Sequence, residues 1–220
     1  MRRSRLIRSA AVALIPALLA SPAGADDCIQ GSGVEKTEER TLPAFSKLDI
    51  SGHFRVEVTS QRSQRFELRG DDNIVPHITT SVVDRHLKVG ADEGICPKTD
   101  LVLRIDVETL ESLRANGAQE ITVTAVKSPE FHLSVSGVEG ATLSGETGLF
   151  EAELAGAGSL DAKALQAETV DVAISGSGEA DVYASKKLSA KIMGMGEIRY
   201  YGDPADVDKQ ILGLGSVTAN

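Results

Sequence analysis

The sequence predicts an all-β fold, and more narrowly a single-stranded right-handed parallel β-helix (a β-solenoid) with coils of about 19–20 residues. Two patterns carry this prediction: apolar and polar residues alternate over long stretches, and pairs of glycines recur at a near-constant spacing. The composition agrees, because only eight of the 220 residues are aromatic, which suits a narrow interior filled by Val, Ile, Leu and Ala.

The alternation is clearest around the segment DVAISGSGEADVYA, residues 171–184. Val172, Ile174 and Val182 share one parity with both glycines, whereas the acidic and hydroxyl side chains share the other. A period of two is typical of a strand whose two faces meet different surroundings. The segment is therefore predicted to form two short strands joined at a Gly-x-Gly step.

The glycine pairs recur through the second half of the chain at spacings of 20, 19, 20, 18 and 19 residues. Such a period indicates stacked repeats, each too small to bury its apolar face alone. Both glycines are expected to face inward at a corner, where a side chain would strike the opposite wall, and the coils are expected to be right-handed. The predicted corner glycines are Gly117, Gly137, Gly156, Gly158, Gly176, Gly178, Gly194, Gly196, Gly213 and Gly215.

Residues 26–110 are less regular than residues 111–220. Strands are predicted over 54–58, 65–70, 86–90 and 101–107, and residues 71–82 can hold one helical turn capped by Asp71 or Asp72. We interpret this region as the irregular first coils of one domain spanning 26–220. A separate small domain is the alternative, although no Pro/Gly/Ser-rich linker divides the two parts.

The first 25 residues have the pattern of a cleaved secretory signal peptide. Four arginines precede an apolar run of 11 residues, which is too short to span a bilayer, and small residues occupy positions 23–25. Cleavage before Asp26 predicts an exported protein, periplasmic or extracellular at the cell surface, with no transmembrane segment after signal removal. The alternative is an uncleaved N-terminal anchor.

The charge balance restricts the partners of the exported chain. The whole chain carries a formal charge of −9, and removal of the four signal arginines leaves 19 basic and 32 acidic residues, or −13. A nucleic acid needs a basic surface, and so does adhesion to anionic lipid. Neither partner is therefore expected.

Two cysteines, Cys28 and Cys96, remain after cleavage. In an exported chain two cysteines suggest one disulfide, which would tie the new N-terminus to the loop that contains Cys96. Two free buried thiols or a redox pair are the alternatives, although the CxxC spacing of redox pairs is absent.

The motifs of common catalytic and cofactor sites are missing. The Gly-x-Gly steps run into strands rather than helices, so neither a dinucleotide fingerprint nor a phosphate loop is completed, and the 19-residue period does not fit the nine-residue calcium repeat. The four histidines lack the spacings of zinc ligands, and GxSxG does not occur. We therefore expect no catalytic residues, no cofactor and no metal.

The outward positions beside the corner glycines change character near the C-terminus. They are small and polar through Ser175 and Ser177, and then become apolar. An exposed apolar cluster often marks a partner or self-association site, whereas the local alternative is cover by a loop or an end cap. The candidate interaction patch consists of Met193, Met195, Leu212 and Leu214.

Several segments in a fixed order resemble a known bacterial family. They are FSKLDISGHFRVEV, DDNIVPHITTSVVDRHLKV, the SGSGEADV-type steps, GMGEIRYYGDP and GLGSV. Together they resemble the family of putative auto-transporter adhesins with the head GIN domain, a domain of unknown function, over most of residues 41–220. The resemblance implies an exported parallel β-helix with an adhesin-like or surface role, and it supplies no catalytic residues.

These observations predict an exported, non-enzymatic envelope or surface module that binds a partner or builds structure. The expected partner is a protein or glycan of the envelope, with self-association through the C-terminal end as a further option. The alternative is a glycan-acting enzyme of the polysaccharide lyase or hydrolase type on a β-helix. An acid–base cluster beside an outer-face groove would favour the enzyme.

Overall fold

The protein is all-β throughout its described part, as predicted. A computed structural model describes residues 28–220, without the side chains of positions 118, 119, 138 and 139. The predicted signal peptide, residues 1–25, lies outside the described residues. Within 28–220 there is no α-helix, and the one helical turn is a 3-10 turn at Val75–His77.

Nine short strands precede two long ones. The short strands are β1 (Ile29–Gln30), β2 (Glu35–Glu39), β3 (Lys47–Ser51), β4 (Arg55–Ser60), β5 (Arg65–Asp71), β6 (Ile78–Val83), β7 (His86–Ala91), β8 (Ile95–Cys96) and β9 (Val102–Val107). The long strands are β10 (Ser112–Tyr201) and β11 (Asp206–Ala219).

The strands form one large mixed sheet, which is strongly curled, and one small sheet. The large sheet has the order β2-β5-β9-β4-β10-β3-β7-β6, with β11 on β10, and the small parallel sheet consists of β1 and β8. At 90 residues β10 would extend about 300 Å if it were straight, so it must turn back on itself many times.

The register of the strand pairs shows that the chain returns repeatedly to lie beside its own earlier residues. The start of β10 pairs parallel with β3 and then with β4, so that Leu113 lies beside Leu48 and Ile121 beside Val56. The end of β10 pairs parallel with β11 in a continuous register from Lys187–Asp206 to Tyr200–Ala219. The chain thus comes back beside itself after 19 residues at this end.

The core consists of apolar side chains that stand in register on neighbouring strands. Leu48, Val56, Leu113 and Ile121 are almost completely buried, and burial of each such side chain stabilises the fold by about 1.5–3 kcal/mol. Phe131 and Phe150 stack with ring centroids 5.9 Å apart.

The first strands depart from the purely parallel pairing that was predicted. Strand β5 pairs antiparallel with β2 and β9, and β6 pairs antiparallel with β7. The β6–β7 hairpin turns at Asp84 and Arg85, which both have positive φ, as a tight two-residue hairpin turn requires. The four predicted strands of this region are confirmed with shifts of one or two residues.

The predicted helical turn in residues 71–82 is confirmed, but its predicted cap is wrong. The residue that precedes the 3-10 turn is Ile74, and no side chain caps it. Asp71 accepts the Ile74 N–H through its backbone oxygen instead, which leaves the Asp71 carboxylate free for other donors.

Candidate functional site

The candidate site is a groove of about 670 Å³ on the outer face of the sheet. Its walls are side chains that point away from the core along β3, β7 and the first turns of β10. The groove is open to solvent, and many of its lining side chains are charged. Its charged and imidazole side chains are Lys47, His86, Glu111, Arg114, Glu130, His132, Glu151 and Glu153.

The strand register brings these distant residues together. Lys47 of β3 pairs on one side with His86 of β7 and on the other with Ser112 of β10. The backbone N–H of His132 donates to the oxygen of Glu111, which sets His132 beside Ser112 one turn later. Residues from three strands therefore form one outward row across the curled sheet.

A histidine–glutamate pair lies in this row. Nδ1 of His132 is 2.5 Å from Oε2 of Glu151, and its Nε2 is 3.8 Å from Glu130. Lys47 and Arg85 approach Glu111 from the other side at 3.7 and 3.9 Å. The groove thus presents donors and acceptors of both charges, which suits a hydroxyl-rich or zwitterionic surface.

The histidine and glutamate side chains of the groove are not arranged as a metal site in the described structure. Among residues 28–220 no three His, Cys, Asp or Glu side chains come close enough to hold a metal ion together.

The groove residues were not predicted from the sequence. A signal for two of them was present in the sequence, however. When the outward positions of the repeats are followed toward the N-terminus, His132 and Glu151 fall in one row.

The predicted interaction patch lies at the opposite end of the fold from β6 and β7. Met193 pairs with Leu212 and Met195 with Leu214, so that the four side chains form two adjacent pairs. All four are exposed, and Leu214 most of all, at 77%. Ile211, an inward position in the alternation, is also exposed because β11 is the last strand of the large sheet on this side.

The predicted corner glycines divide into two kinds. The first glycine of each pair has positive φ, and its Cα hydrogen points at the backbone of the first glycine in the preceding repeat. An added Cβ on Gly176 would overlap the oxygen of Gly156, and one on Gly194 would overlap the oxygen of Gly176. The positive-φ glycines among the predicted set are Gly117, Gly137, Gly156, Gly176, Gly194 and Gly213.

The expected reason for the first glycines is therefore wrong. The space that they leave is taken by the neighbouring repeat along the stack, not by an opposite wall. The second glycines approach both the preceding repeat and the core, since a Cβ on Gly196 would lie 2.9 Å from the oxygen of Gly178 and 3.3 Å from Ile174.

The predicted disulfide is confirmed. Cys28 and Cys96 are bonded, with Cα atoms 5.7 Å apart, and the adjacent β1 and β8 pair in parallel. No free cysteine remains in the described chain, so the alternative of free thiols is excluded there.

Asp71 stabilises the same region through hydrogen bonds. Its buried carboxylate accepts the backbone N–H groups of Gly33 at 2.6 Å, Lys98 at 2.9 Å and Thr99 at 3.0 Å. Burial alone would raise the pKa of Asp71, but these donors outweigh burial and hold the pKa below its usual value.

Comparison with known proteins identifies the family. A family profile described as "Putative auto-transporter adhesin, head GIN domain" matches residues 44–142 and, in a second match, residues 134–204. The chain belongs to this family. The head GIN resemblance read from the sequence is thereby confirmed.

Solved structures share the fold of this head GIN chain. A putative adhesin from Bacteroides fragilis is 20% identical with a TM-score of 0.73, and the match covers 87% of this chain and 100% of that one. A putative lipid binding protein from Parabacteroides distasonis is 21% identical with a TM-score of 0.56 over 87% and 99%. A putative adhesin from the same species is 19% identical with a TM-score of 0.50 over 88% and 100%.

At these identities the likeness is one of fold alone. Among curated proteins no sequence matches the chain. In residues 28–220 no helix is long and apolar enough to cross a membrane.

Proposed function

We propose that this head GIN chain is an exported, non-enzymatic module of the cell envelope or cell surface that binds a protein or glycan partner in an adhesin-like role. The outer-face groove carries the proposal. It is open to solvent and lined by side chains of both charges, which suits contact with a polar partner. Family membership supports the same role.

Export is part of the proposal. The arginine-rich and apolar start of the chain supports a signal peptide over residues 1–25, and the Cys28–Cys96 disulfide is typical of oxidising compartments outside the cytosol. The mature protein is then one domain, 26–220, in which residues 26–110 form irregular first coils and residues 111–220 regular repeats.

We also propose that the curled sheet is a right-handed β-solenoid. Three observations support it: the length of β10, the parallel return of the chain after 19 residues, and the column of first glycines. Side-chain bonds between residues 18 apart, Lys186 to Glu168 and Arg199 to Asp181, fit stacked coils of that length.

Cell fractionation combined with protease treatment of intact cells tests the function. We expect the protein outside the cytoplasm, with the signal removed before Asp26. Cleavage on intact cells would show that external partners can reach the groove. Protection on intact cells, with release of the protein from the periplasm, would show that its partners lie within the envelope. A protein retained in the cytosol would contradict the proposal.

A glycan-acting enzyme on the same fold is the second candidate, because the groove places His132 beside Glu151 with Glu111 nearby. Histidine and carboxylate side chains are the groups most often used as general acids and bases. The enzyme candidate requires product formation from envelope polysaccharides that is lost in Glu151→Gln. Equal product from wild type and variant, or none from either, removes the enzyme candidate.

A further inference from the structure

We infer that two copies of the chain associate end to end through β11, whose edges pair antiparallel about a twofold axis near Gly213. The strand, its exposed side chains and its charges each support this pairing. The inference concerns the purified protein and stands independently of where the protein resides in the cell.

The outer edge of β11 is open. Among the strands of residues 28–220, β11 pairs only with β10. The N–H of Asn220 donates to the oxygen of Tyr200, so by strand alternation Val217 and Ala219 direct their backbone groups away from β10. Lys209 Nζ reaches the Val217 oxygen at 3.0 Å, as an outward-facing carbonyl permits.

The charges of this edge lie at its start, at Asp206, Asp208 and Lys209, and the rest of the strand is uncharged. Natural proteins guard exposed edge strands with charged residues, proline or short length. Strand β2, at the far end of the large sheet, has the sequence EKTEE and is so guarded. Strand β11 is 14 residues long and carries no charge and no proline after Lys209.

Exposed apolar side chains concentrate at the same edge. Five of the seven exposed large hydrophobic residues of the described chain lie on β11 or opposite it on β10. They are Met193, Met195, Ile211, Leu212 and Leu214. Pairing at this edge would bring a second apolar strand beside Leu212 and Leu214 and so remove part of their surface from water.

A second copy fits this edge without charge conflict. When Gly213 faces Gly213 of the second copy, Leu212 faces the other copy's Leu214, and the same contact repeats across the axis. Asp208 then faces a threonine, Lys209 a valine and Asp206 an asparagine, so no charged residue faces another. A surface that is complementary to itself forms a closed twofold dimer, not a filament.

The interface is small. A 14-residue strand is about 45 Å long, and a contact about 10 Å wide along it buries roughly 900 Å² in total, at the lower end for specific complexes. Interfaces of this size are typical of weak or transient association, so we expect the dimer where the protein is concentrated.

Sedimentation equilibrium of the purified chain, from about 1 to about 500 µM, measures this association. We expect a monomer–dimer equilibrium that Leu214→Glu weakens at least about tenfold, since it places a charge in the centre of the contact. The matched control is Val83→Glu, which adds the same charge at another exposed apolar residue, on β6, and should leave the equilibrium unchanged.

Ala219→Pro separates strand pairing from simple apolar contact. It removes an N–H that points away from β10, so the fold keeps its own bonds while the edge loses a donor. We expect weaker dimers with an unchanged melting temperature. A wild type that stays monomeric at about 500 µM, growth beyond dimers, or equal dimerisation of wild type, Leu214→Glu and Ala219→Pro would each overturn the inference.

Discussion

At the scale of single residues, the first glycines make the winding possible. Each combines a backbone conformation that side chains rarely adopt with direct contact to the backbone of the preceding repeat. The two constraints act together, so even the smallest side chain is excluded. The sequence pattern identified the positions, but only the pairing of repeats showed which neighbour occupies the space.

Replacement of Gly176 by alanine should destabilise the protein by about 3–5 kcal/mol. The φ of +127° is strained for alanine, and its methyl group would overlap the Gly156 oxygen. Denaturant unfolding measures the change. Gly140→Ala is the control, because its φ is not positive and the nearest atom to its Cβ lies 3.7 Å away, so we expect less than about 1 kcal/mol there. Equal effects would contradict the glycine column.

Asp71 should make stability depend on pH. Its pKa is lowered on folding, so its contribution is complete above the unfolded pKa of about 3.9 and is lost as the pH falls through the folded value. Asp71→Asn should cost about 2–3 kcal/mol at pH 7, since its carboxylate serves three N–H groups. The difference in unfolding free energy between wild type and variant should shrink below about pH 4. A constant difference would show that the charge is not responsible.

At the scale of elements, the disulfide and β1–β8 pairing fasten the N-terminal segment to the loop before β9. Cys28→Ser/Cys96→Ser should lower stability by about 3–4 kcal/mol, because the bond closes a loop of 68 residues in the unfolded chain. The melting temperature should fall by roughly 10 °C. Reduction of the wild type should reproduce this loss, and an unchanged melting temperature in both cases would contradict it.

The predictable and the unpredictable elements differ in the range of their interactions. Alternation and glycine spacing are local patterns, and they located the repeats, the four early strands and the exposed side chains of the patch. The antiparallel pairings of β5 with β2 and β9 depend on partners far along the chain, whereas β6 and β7 are joined by a short hairpin. The turn at Asp84 and Arg85 contains no glycine, so the sequence carried no strong hairpin signal.

The groove was also difficult to predict because its residues lie far apart in the sequence. Lys47 and His86 reach Ser112 only through the register of three strands that are separated in sequence by a hairpin and a loop. The regular glycine spacing begins at about residue 117, so it could not be extended to Lys47 and His86. The pairing of β11 with β10 did not have this difficulty, because the paired residues lie one repeat apart.

For the whole molecule, the curled sheet keeps its apolar core apart from its charged surface. The interior holds the apolar side chains and the outer face carries the exposed charges of the groove, so the groove side chains can vary without disturbing the core. This arrangement leads to the central claim that the protein acts by binding an envelope or surface partner through its outer groove.

The decisive measurement is binding of the labelled, purified protein to isolated envelopes of the producing cells. Arg114→Ala/His132→Ala should weaken binding at least about tenfold, since each side chain offers the partner charged or polar contacts worth about 1 kcal/mol. The control is Lys186→Ala, an exposed charge outside the groove, which should bind as the wild type does. Saturable binding that only the groove variant loses is the predicted result. Equal binding of all three proteins, or no binding by the wild type, would contradict the account.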